Sequence, residues 1–237
     1  MNLPSVQHSH RRRATITTKG KTFPSSTRTR THRAMREPTH CLPSAYQHFF
    51  QALDEIESDS GLARIATAIA MHHQPEAAEE EIFLELDRIA STIRDRVHDD
   101  NPRALLAHLH QHLFDELGFR GNNRDYFDPR NSFLPWVIHS RRGIPITLSL
   151  VYKLIAGRLG LSVVGLNAPG HFLVQVQVAD ETMIVDPFHG GTMLSDKEAE
   201  ALICQLSGRK EFPAEMLLQP ATLAVVINQH SIICNAY

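Results

Sequence analysis

The chain has 237 residues, of which 42% are hydrophobic and 21% charged, a composition typical of a globular protein with a buried core. No stretch reaches the roughly 18 uninterrupted apolar residues that a membrane-spanning helix needs. Residues 1–36 contain nine of the 24 Lys and Arg residues and no Asp or Glu, so the remainder has 15 basic against 26 acidic residues, a formal charge of −11. Such an acidic body is poorly suited to nucleic acid, whose phosphates require clustered positive charge.

Residues 1–36 are rich in Thr, Ser, Arg and His and lack apolar periodicity, which predicts a disordered basic segment. Because the segment has no apolar core, it does not resemble a secretory signal. Three interpretations remain open: a misassigned translation start with Met35 as the true one, an organellar transit peptide, or a basic arm that contacts nucleic acid. We therefore expect a cytoplasmic protein, or an organellar one if the segment is a transit peptide.

The three cysteines, Cys41, Cys204 and Cys234, are far apart and form no CxxC pair. This spacing argues against a zinc site and against a disulfide framework, and it favours a reducing compartment. The sequence therefore predicts neither a metal nor a cofactor.

Four helices are predicted before residue 119, because apolar residues recur there at spacings of three and four. Their approximate ranges are 43–56, 59–69, 75–97 and 101–117. Pro75 is expected in the first turn of the third helix, and Gly118 is expected to end the fourth. His108 and His112 lie four residues apart on the fourth helix, a spacing that favours a solvated surface over a metal pair in the absence of a third ligand.

Residues 120–132 contain many turn formers and predict a polar loop, followed by a short apolar turn or helix at 133–139. A longer helix is expected from Pro145 to Leu159. Strand-like runs follow at 162–166, 172–178 and 183–185, with a hairpin turn at 179–181. The predicted fold class is therefore α+β, with N-terminal helices, a central helix and a small antiparallel sheet.

The residues most suggestive of chemistry lie on this sheet. If 172–178 and 182–185 pair as a hairpin, His171 and Asp186 fall opposite each other at one end of it. A carboxylate in that position accepts a hydrogen bond from one imidazole nitrogen, which fixes the tautomer and raises the basicity of the other nitrogen. The two residues would form the base and the orienting acid of a nucleophilic triad.

A third member could come from the start of the central helix, where free N–H groups and the helix dipole stabilise an anion. Pro145 begins this helix, Thr147 lies in its first turn and Ser149 follows two residues later. A Thr in a first turn is more often a capping or solvated residue than a nucleophile. A hydroxyl also needs stronger activation than a thiol does.

The order of helix start, His and Asp resembles that of the transglutaminase-like, papain-related superfamily. More closely, five segments look like successive blocks of the SirB/YchA family: GFRGN at 118–122, YFDPRNS at 126–132, RRGIPITLSL at 141–150, PGHFLV at 169–174 and DPFHGG at 186–191. The resemblance covers roughly residues 45–220. It implies a transglutaminase-like domain over residues 43–220.

Active members of that superfamily have a cysteine at the start of the central helix, and this chain has none between Pro145 and Thr147. The resemblance implies that SirB-like members generally share this loss. Full-length relatives tend to continue into a helical repeat, so residues 221–237 are expected to be a truncated C-terminal helix.

Asp128, Arg130 and Asn131 either line the same cleft as Pro145 and Ser149 or only fold their own loop. The turn-forming character of Asp and Asn favours the second role. The adjacent pair at 141–142, two arginines, is more typical of a solvated face than of an anion site.

Three functions follow from these expectations. The first is a regulatory or protein-binding module that keeps the cleft and binds an unknown protein or peptide partner. The second is an amide hydrolase or acyl transferase that uses Thr147, Ser149 or water, with His171 as the base. The third and weakest is nucleic-acid binding through residues 1–36. No membrane partner is expected.

Overall fold

A computed structural model describes residues 42–98, 101–211 and 220–221. The interpretations of residues 1–36 concern a segment outside the described residues, and so does the expected helix at 221–237 apart from Ala221. No helix within the described ranges is both long enough and apolar enough to span a bilayer.

The described part of the chain contains seven α-helices. Each of the first four predicted helices is present, and apolar residues of each are buried. The α-helices are α1 (Pro43–Ala52), α2 (Asp59–Ala70), α3 (Glu79–Arg94), α4 (Pro102–His110), α5 (Leu134–Ser140), α6 (Pro145–Arg158) and α7 (Asp196–Ser207).

Six strands form two sheets in the described residues. A four-stranded antiparallel sheet has the order β3-β4-β5-β6, and a two-stranded parallel ladder joins β1 to β2. The strands are β1 (Arg120–Gly121), β2 (Arg142–Gly143), β3 (Ser162–Ala168), β4 (His171–Val178), β5 (Glu181–Asp186) and β6 (Thr192–Leu194). The predicted α+β class with a small antiparallel sheet is confirmed.

Helix α6 is the centre of the core. It is apolar on nearly every side, and a helix with that pattern is stable only when neighbours surround it. Val151 and Ile155 of α6 belong to one apolar cluster with Val174 and Val176 of β4. A second cluster joins Leu173 of β4 to α7, so the sheet has helices against both faces.

The structure corrects the predicted boundaries of two helices. Helix α3 begins at Glu79 rather than near Pro75, because the chain first forms a turn in which Ala77 N–H donates to the Gln74 carbonyl at 2.9 Å. The fourth predicted helix is α-helical only to His110 and continues as a π-helix over Gln111–Glu116. Gly118 ends this segment in a left-handed conformation, φ +71°, as predicted.

The expectation that His112 is solvated is wrong. Its side chain is buried, and its Nδ1 lies 2.7 Å from the Glu116 carboxylate. The wider π-helical turn changes which residues face the core, and apolar spacing does not predict such a turn.

The predicted polar loop at 120–132 contains two short regular elements, strand β1 and a 3₁₀ helix at Pro129–Ser132. Gly121 of β1 pairs with Gly143 of β2, so the start of the loop is fixed beside the start of α6. A side chain at Gly121 would collide with the Phe188 ring, since a Cβ there would lie 2.5 Å from it. Glycine therefore permits the close approach that connects the loop to the end of β5.

Candidate functional site

His171 and Asp186 meet at one end of the β4–β5 hairpin. The strands pair in the register Val174↔Val185, which brings the first residue of β4 and the last residue of β5 to the same end. The His171 Nε2 lies 2.8 Å from Asp186 Oδ2, and both side chains are buried. The contact expected from the sequence is present, and its role in catalysis stays a prediction.

The Asp186 carboxylate accepts four hydrogen bonds. Oδ1 accepts from the backbone N–H groups of Phe188 at 3.0 Å and His189 at 3.2 Å. Oδ2 accepts from His171 and, at 2.7 Å, from His189 Nδ1. Burial raises the pKa of Asp186, but the hydrogen bonds and charges of His171 and then His189 outweigh burial, so this pKa lies below its ordinary value.

Sequence reasoning missed His189. Its imidazole shares the carboxylate with His171, and the two ring centroids are 5.6 Å apart. The His171 side chain is only 3% exposed whereas that of His189 is 46% exposed, so His189 connects the buried pair to solvent. The available signal was the Asp-Pro turn, because a turn that starts at Asp186 returns the third following residue to its carboxylate.

An aromatic wall flanks the pair. The Phe188 ring meets His171 edge to face at a centroid distance of 5.8 Å. Tyr126 packs against Phe188 at a centroid distance of 6.0 Å, and Phe127 packs against Tyr126 at 5.4 Å. The row of rings therefore runs from the buried His171 to Phe127, which is 80% exposed.

Thr147 does not complete a triad. It lies in the first turn of α6 and is fully buried, and its hydroxyl has no hydrogen-bond partner among the described residues. It therefore makes no hydrogen bond to His171. Ser149 is also buried, with its hydroxyl 3.5 Å from the Phe172 carbonyl, and Pro145 is buried at the helix start.

Asn131, which is fully buried, holds the 122–132 loop together. Its amide nitrogen donates to the carbonyls of Asp125 at 2.6 Å and Tyr126 at 3.1 Å, and its oxygen accepts from Asn122 at 3.0 Å. None of these bonds reaches His171 or Asp186. This geometry agrees with the loop-folding role that the sequence favours for Asn131.

The other two loop residues bond each other. Asp128 caps the short 3₁₀ helix Pro129–Ser132 by accepting from the Arg130 N–H, and its carboxylate pairs with the Arg130 guanidinium at 2.6 Å. Arg130 also lies over the Trp136 ring at 4.4 Å. Arg130 lowers the pKa of Asp128, chiefly through this side-chain hydrogen bond.

A cavity of about 360 Å³ lies between α6, β3 and β4. Apolar side chains line most of it, with Ser149 and Lys153 among its polar members. His171 and Asp186 do not line it, so this cavity is separate from the His–Asp pair. Of the three cysteines only Cys204 falls in the described residues, where it packs on Ala168 beside Ile203 of α7.

Comparison with known proteins identifies the family of this chain. A family model described as the transglutaminase-like superfamily matches residues 80–230. A UPF0162 protein of Xylella fastidiosa strain 9a5c is 39% identical over 140 residues, which cover 55% of this chain and 49% of that protein. A UPF0162 protein of Pseudomonas aeruginosa is 30% identical over 158 residues, which cover 67% of this chain and 58% of that protein.

Similarity also extends to human F-box only protein 21, which is 39% identical over 101 residues, or 39% of this chain and 16% of that protein. No solved structure matches the chain. The chain spans about half the length of the bacterial relatives it matches. Because the family model covers well over half of the sequence, the chain belongs to the transglutaminase-like superfamily.

Proposed function

We propose that this domain is a regulatory module that binds a peptide or protein segment beside its His–Asp pair, without thiol chemistry. Within the superfamily we propose the SirB/YchA family, because five sequence segments resemble its successive blocks. One observation carries the proposal: Phe127 is 80% exposed on a loop that is fixed next to the pair. An exposed aromatic side chain on a fixed support is a typical anchor for a protein partner.

The support of this anchor is rigid. Asn131 bonds the carbonyls of Asp125 and Tyr126, the residues immediately before Phe127. Tyr126 packs on Phe188, whose backbone carbonyl accepts from Gly121 N–H at 2.8 Å. A partner that buries Phe127 would therefore lose little affinity to ordering of the loop.

The surroundings of the pair also favour binding over acyl transfer. His171 is nearly inaccessible, and the start of α6 offers Pro145, Ile146 and Thr147 in place of a thiol. The Thr147 hydroxyl is buried without a hydrogen bond to the imidazole that would have to activate it.

The test is selection of peptides from a random displayed library on the 237-residue chain, followed by affinity measurement with the selected peptides. We expect Phe127→Ala to weaken binding at least about tenfold, as for an interface anchor. Leu84→Ala is the matched control, because Leu84 is an exposed apolar residue on α3. Equal affinities of wild type and Phe127→Ala would contradict the proposal.

A second candidate, a water-dependent amide hydrolase, is favoured by the geometry of His171. Its Nε2–H bonds Asp186, which leaves Nδ1 as the nitrogen able to accept a proton. The wild-type chain and His171→Ala are assayed against amide, ester and isopeptide substrates. Turnover that disappears in His171→Ala would establish this candidate, whereas equal background rates would exclude it.

A further inference from the structure

Two imidazoles and a carboxylate converge beside the aromatic wall. The ligand atoms that His171, Asp186 and His189 offer all lie within 4.8 Å of one another. Both imidazoles reach the same oxygen, Asp186 Oδ2, at 2.8 and 2.7 Å. We propose that these three side chains bind one divalent transition-metal ion, with Zn²⁺ as the ion they suit best.

The carboxylate is oriented for this role. Its Oδ1 is held by the backbone N–H groups of Phe188 and His189, so Oδ2 is the oxygen turned toward both imidazoles. Hydrogen bonds that fix a ligand in this way are a usual feature of metal sites. The Gly191 N–H also donates to the Asp186 carbonyl at 2.9 Å and closes the turn that carries His189.

The donor set selects the class of ion. Two imidazole nitrogens and one carboxylate oxygen suit Zn²⁺ and neighbouring transition metals, whereas Ca²⁺ and Mg²⁺ prefer oxygen ligands alone. Three protein ligands are the number found in open zinc sites, in which water takes the fourth position. The thiolate ligands of closed structural zinc sites are missing from this cluster.

Exposure provides an entry path. Asp186 and His171 are buried at 1% and 3% side-chain exposure, while His189 is 46% exposed. An ion would approach from the His189 side and keep a water there. The two buried ligands provide a poorly hydrated environment that strengthens attraction to the cation.

Ion binding requires a rearrangement in which both imidazoles move away from Oδ2 and their two nitrogens, now within 4.8 Å of each other, come to about 3.3 Å. Ligand atoms about 2.0–2.1 Å from a tetrahedral ion are separated by about 3.3 Å, so the two imidazoles would move roughly half an ångström away from Oδ2. His189 is free to make part of this movement because it is exposed. The ring proton that each imidazole now directs at the carboxylate would move to its other nitrogen, which leaves a lone pair for the ion. Ion binding therefore replaces two hydrogen bonds.

This inference goes beyond the proposed peptide binding and does not depend on it. A water bound to Zn²⁺ has a pKa near 7 rather than about 15.7. A zinc ion here would therefore supply hydroxide as a nucleophile to a domain that has no thiol at the start of its central helix. His171 would then be a ligand, not a free base.

The experiment uses the 237-residue chain after treatment with a chelator. Zn²⁺ binding is measured by calorimetry, and Co²⁺ binding by its visible absorption, which reports coordination geometry. We expect His189→Ala to weaken Zn²⁺ binding by at least about tenfold and to remove the Co²⁺ absorption of a site with four or five ligands. His139→Ala is the matched control, an exposed histidine on α5 outside the cluster.

Because His189 is exposed, its replacement leaves the fold intact, as circular dichroism would verify; Asp186→Asn gives a second variant. Zn²⁺ affinities that are the same in wild type, His189→Ala and Asp186→Asn would overturn the proposal, and so would equal competition by Mg²⁺. The peptide affinity of His189→Ala is measured in parallel. Loss of Zn²⁺ binding with unchanged peptide binding would support the metal site on its own.

Discussion

At the scale of single residues, Thr147 and Asp186 show opposite ways of burying a polar group. Asp186 is surrounded by donors, which compensate for the loss of water. Thr147 is equally buried, yet its hydroxyl has no partner among the described residues. A buried hydroxyl without a hydrogen bond destabilises a protein by about 1–3 kcal/mol.

Thr147→Val should therefore leave the free energy of unfolding unchanged or raise it by about 1 kcal/mol, because a methyl group replaces an unpartnered hydroxyl. Urea denaturation followed by circular dichroism measures this. Thr67→Val is the matched control: Thr67 is also buried, but its hydroxyl donates to the Ala63 carbonyl at 2.9 Å, so the substitution should cost about 1 kcal/mol. A larger loss at Thr147 than at Thr67 would reveal a hydrogen bond that the structure does not contain.

The same scale shows what the sequence could and could not predict about the site. The His171–Asp186 contact was predictable, because period-two alternation and a short turn fix the register of a hairpin. The position of His189 depends on how the turn after Asp186 folds, and that turn is stabilised by the two N–H groups bound to Oδ1. Spacing alone carries no such information.

At the scale of elements, the loop that carries His189 packs against the π-helix. Phe114, in the π-helix, stacks on Tyr152 at a centroid distance of 6.1 Å and meets His110 edge to face at 5.5 Å. Burial lowers the pKa of His110 to about 4, so His110 is neutral at pH 7 and packs as an uncharged ring. A Cβ at Gly191 would lie 2.1 Å from the Phe114 ring.

Gly190 and Gly191 provide a test of this packing. Both have left-handed backbones, φ +68° and +76°, but a Cβ at Gly190 would meet nothing within 4 Å. Gly190→Ala should cost about 1 kcal/mol of conformational strain, and Gly191→Ala a further 1–3 kcal/mol, roughly, from the collision with Phe114.

Urea denaturation of both variants measures the difference. Combining Gly191→Ala with Phe114→Leu should recover part of the loss in a double-mutant cycle. Equal costs at the two glycines would show that the ring moves aside freely.

Elements also differ in how far the sequence predicts them. The apolar stripes of α2 and α3 predicted both helices because burial of one face imposes a helical period. The predicted start of α3 near Pro75 was wrong. The helix begins at Glu79, where three glutamates in the first turn interact favourably with the positive end of the helix dipole. The β1–β2 ladder has two residues in each strand, too few for any alternation to show.

At the scale of the whole molecule, carboxylates with lowered pKa values connect separate elements. Glu85 on α3 bonds Arg88 of its own helix and Arg141 at the end of α5. The hydrogen bond from Arg88, followed by that from Arg141, lowers the pKa of Glu85 from 4.5 to about 2 against the opposing effect of burial. The pKa of Asp186 is lowered as well, so both groups favour the folded state when they are ionised.

Because these pKa values are lower in the folded than in the unfolded state, the stabilisation is complete above the unfolded pKa and is lost as the pH falls toward the folded value. For Glu85 that interval runs from 4.5 down to about 2. Glu85→Gln should therefore lower stability at pH 7 by about 1 kcal/mol and flatten the loss between pH 4.5 and 2.

Urea denaturation at several pH values checks this. Glu80→Gln is the control, since Glu80 is exposed on the same helix. A Glu85→Gln protein that loses stability with acid as steeply as wild type would contradict the assignment.

The short connections at both ends of β4 have a consequence for how this domain tolerates changes in length. Pro169–Gly170 joins β3 to β4, and Ala179–Asp180 joins β4 to β5. One residue inserted between β3 and β4, if β4 shifted to absorb it, would invert which side chains of β4 face α6. One residue inserted between β4 and β5, if β5 shifted to absorb it, would separate Asp186 from His171. Grafted tags or sensor peptides therefore belong in neither of these two connections.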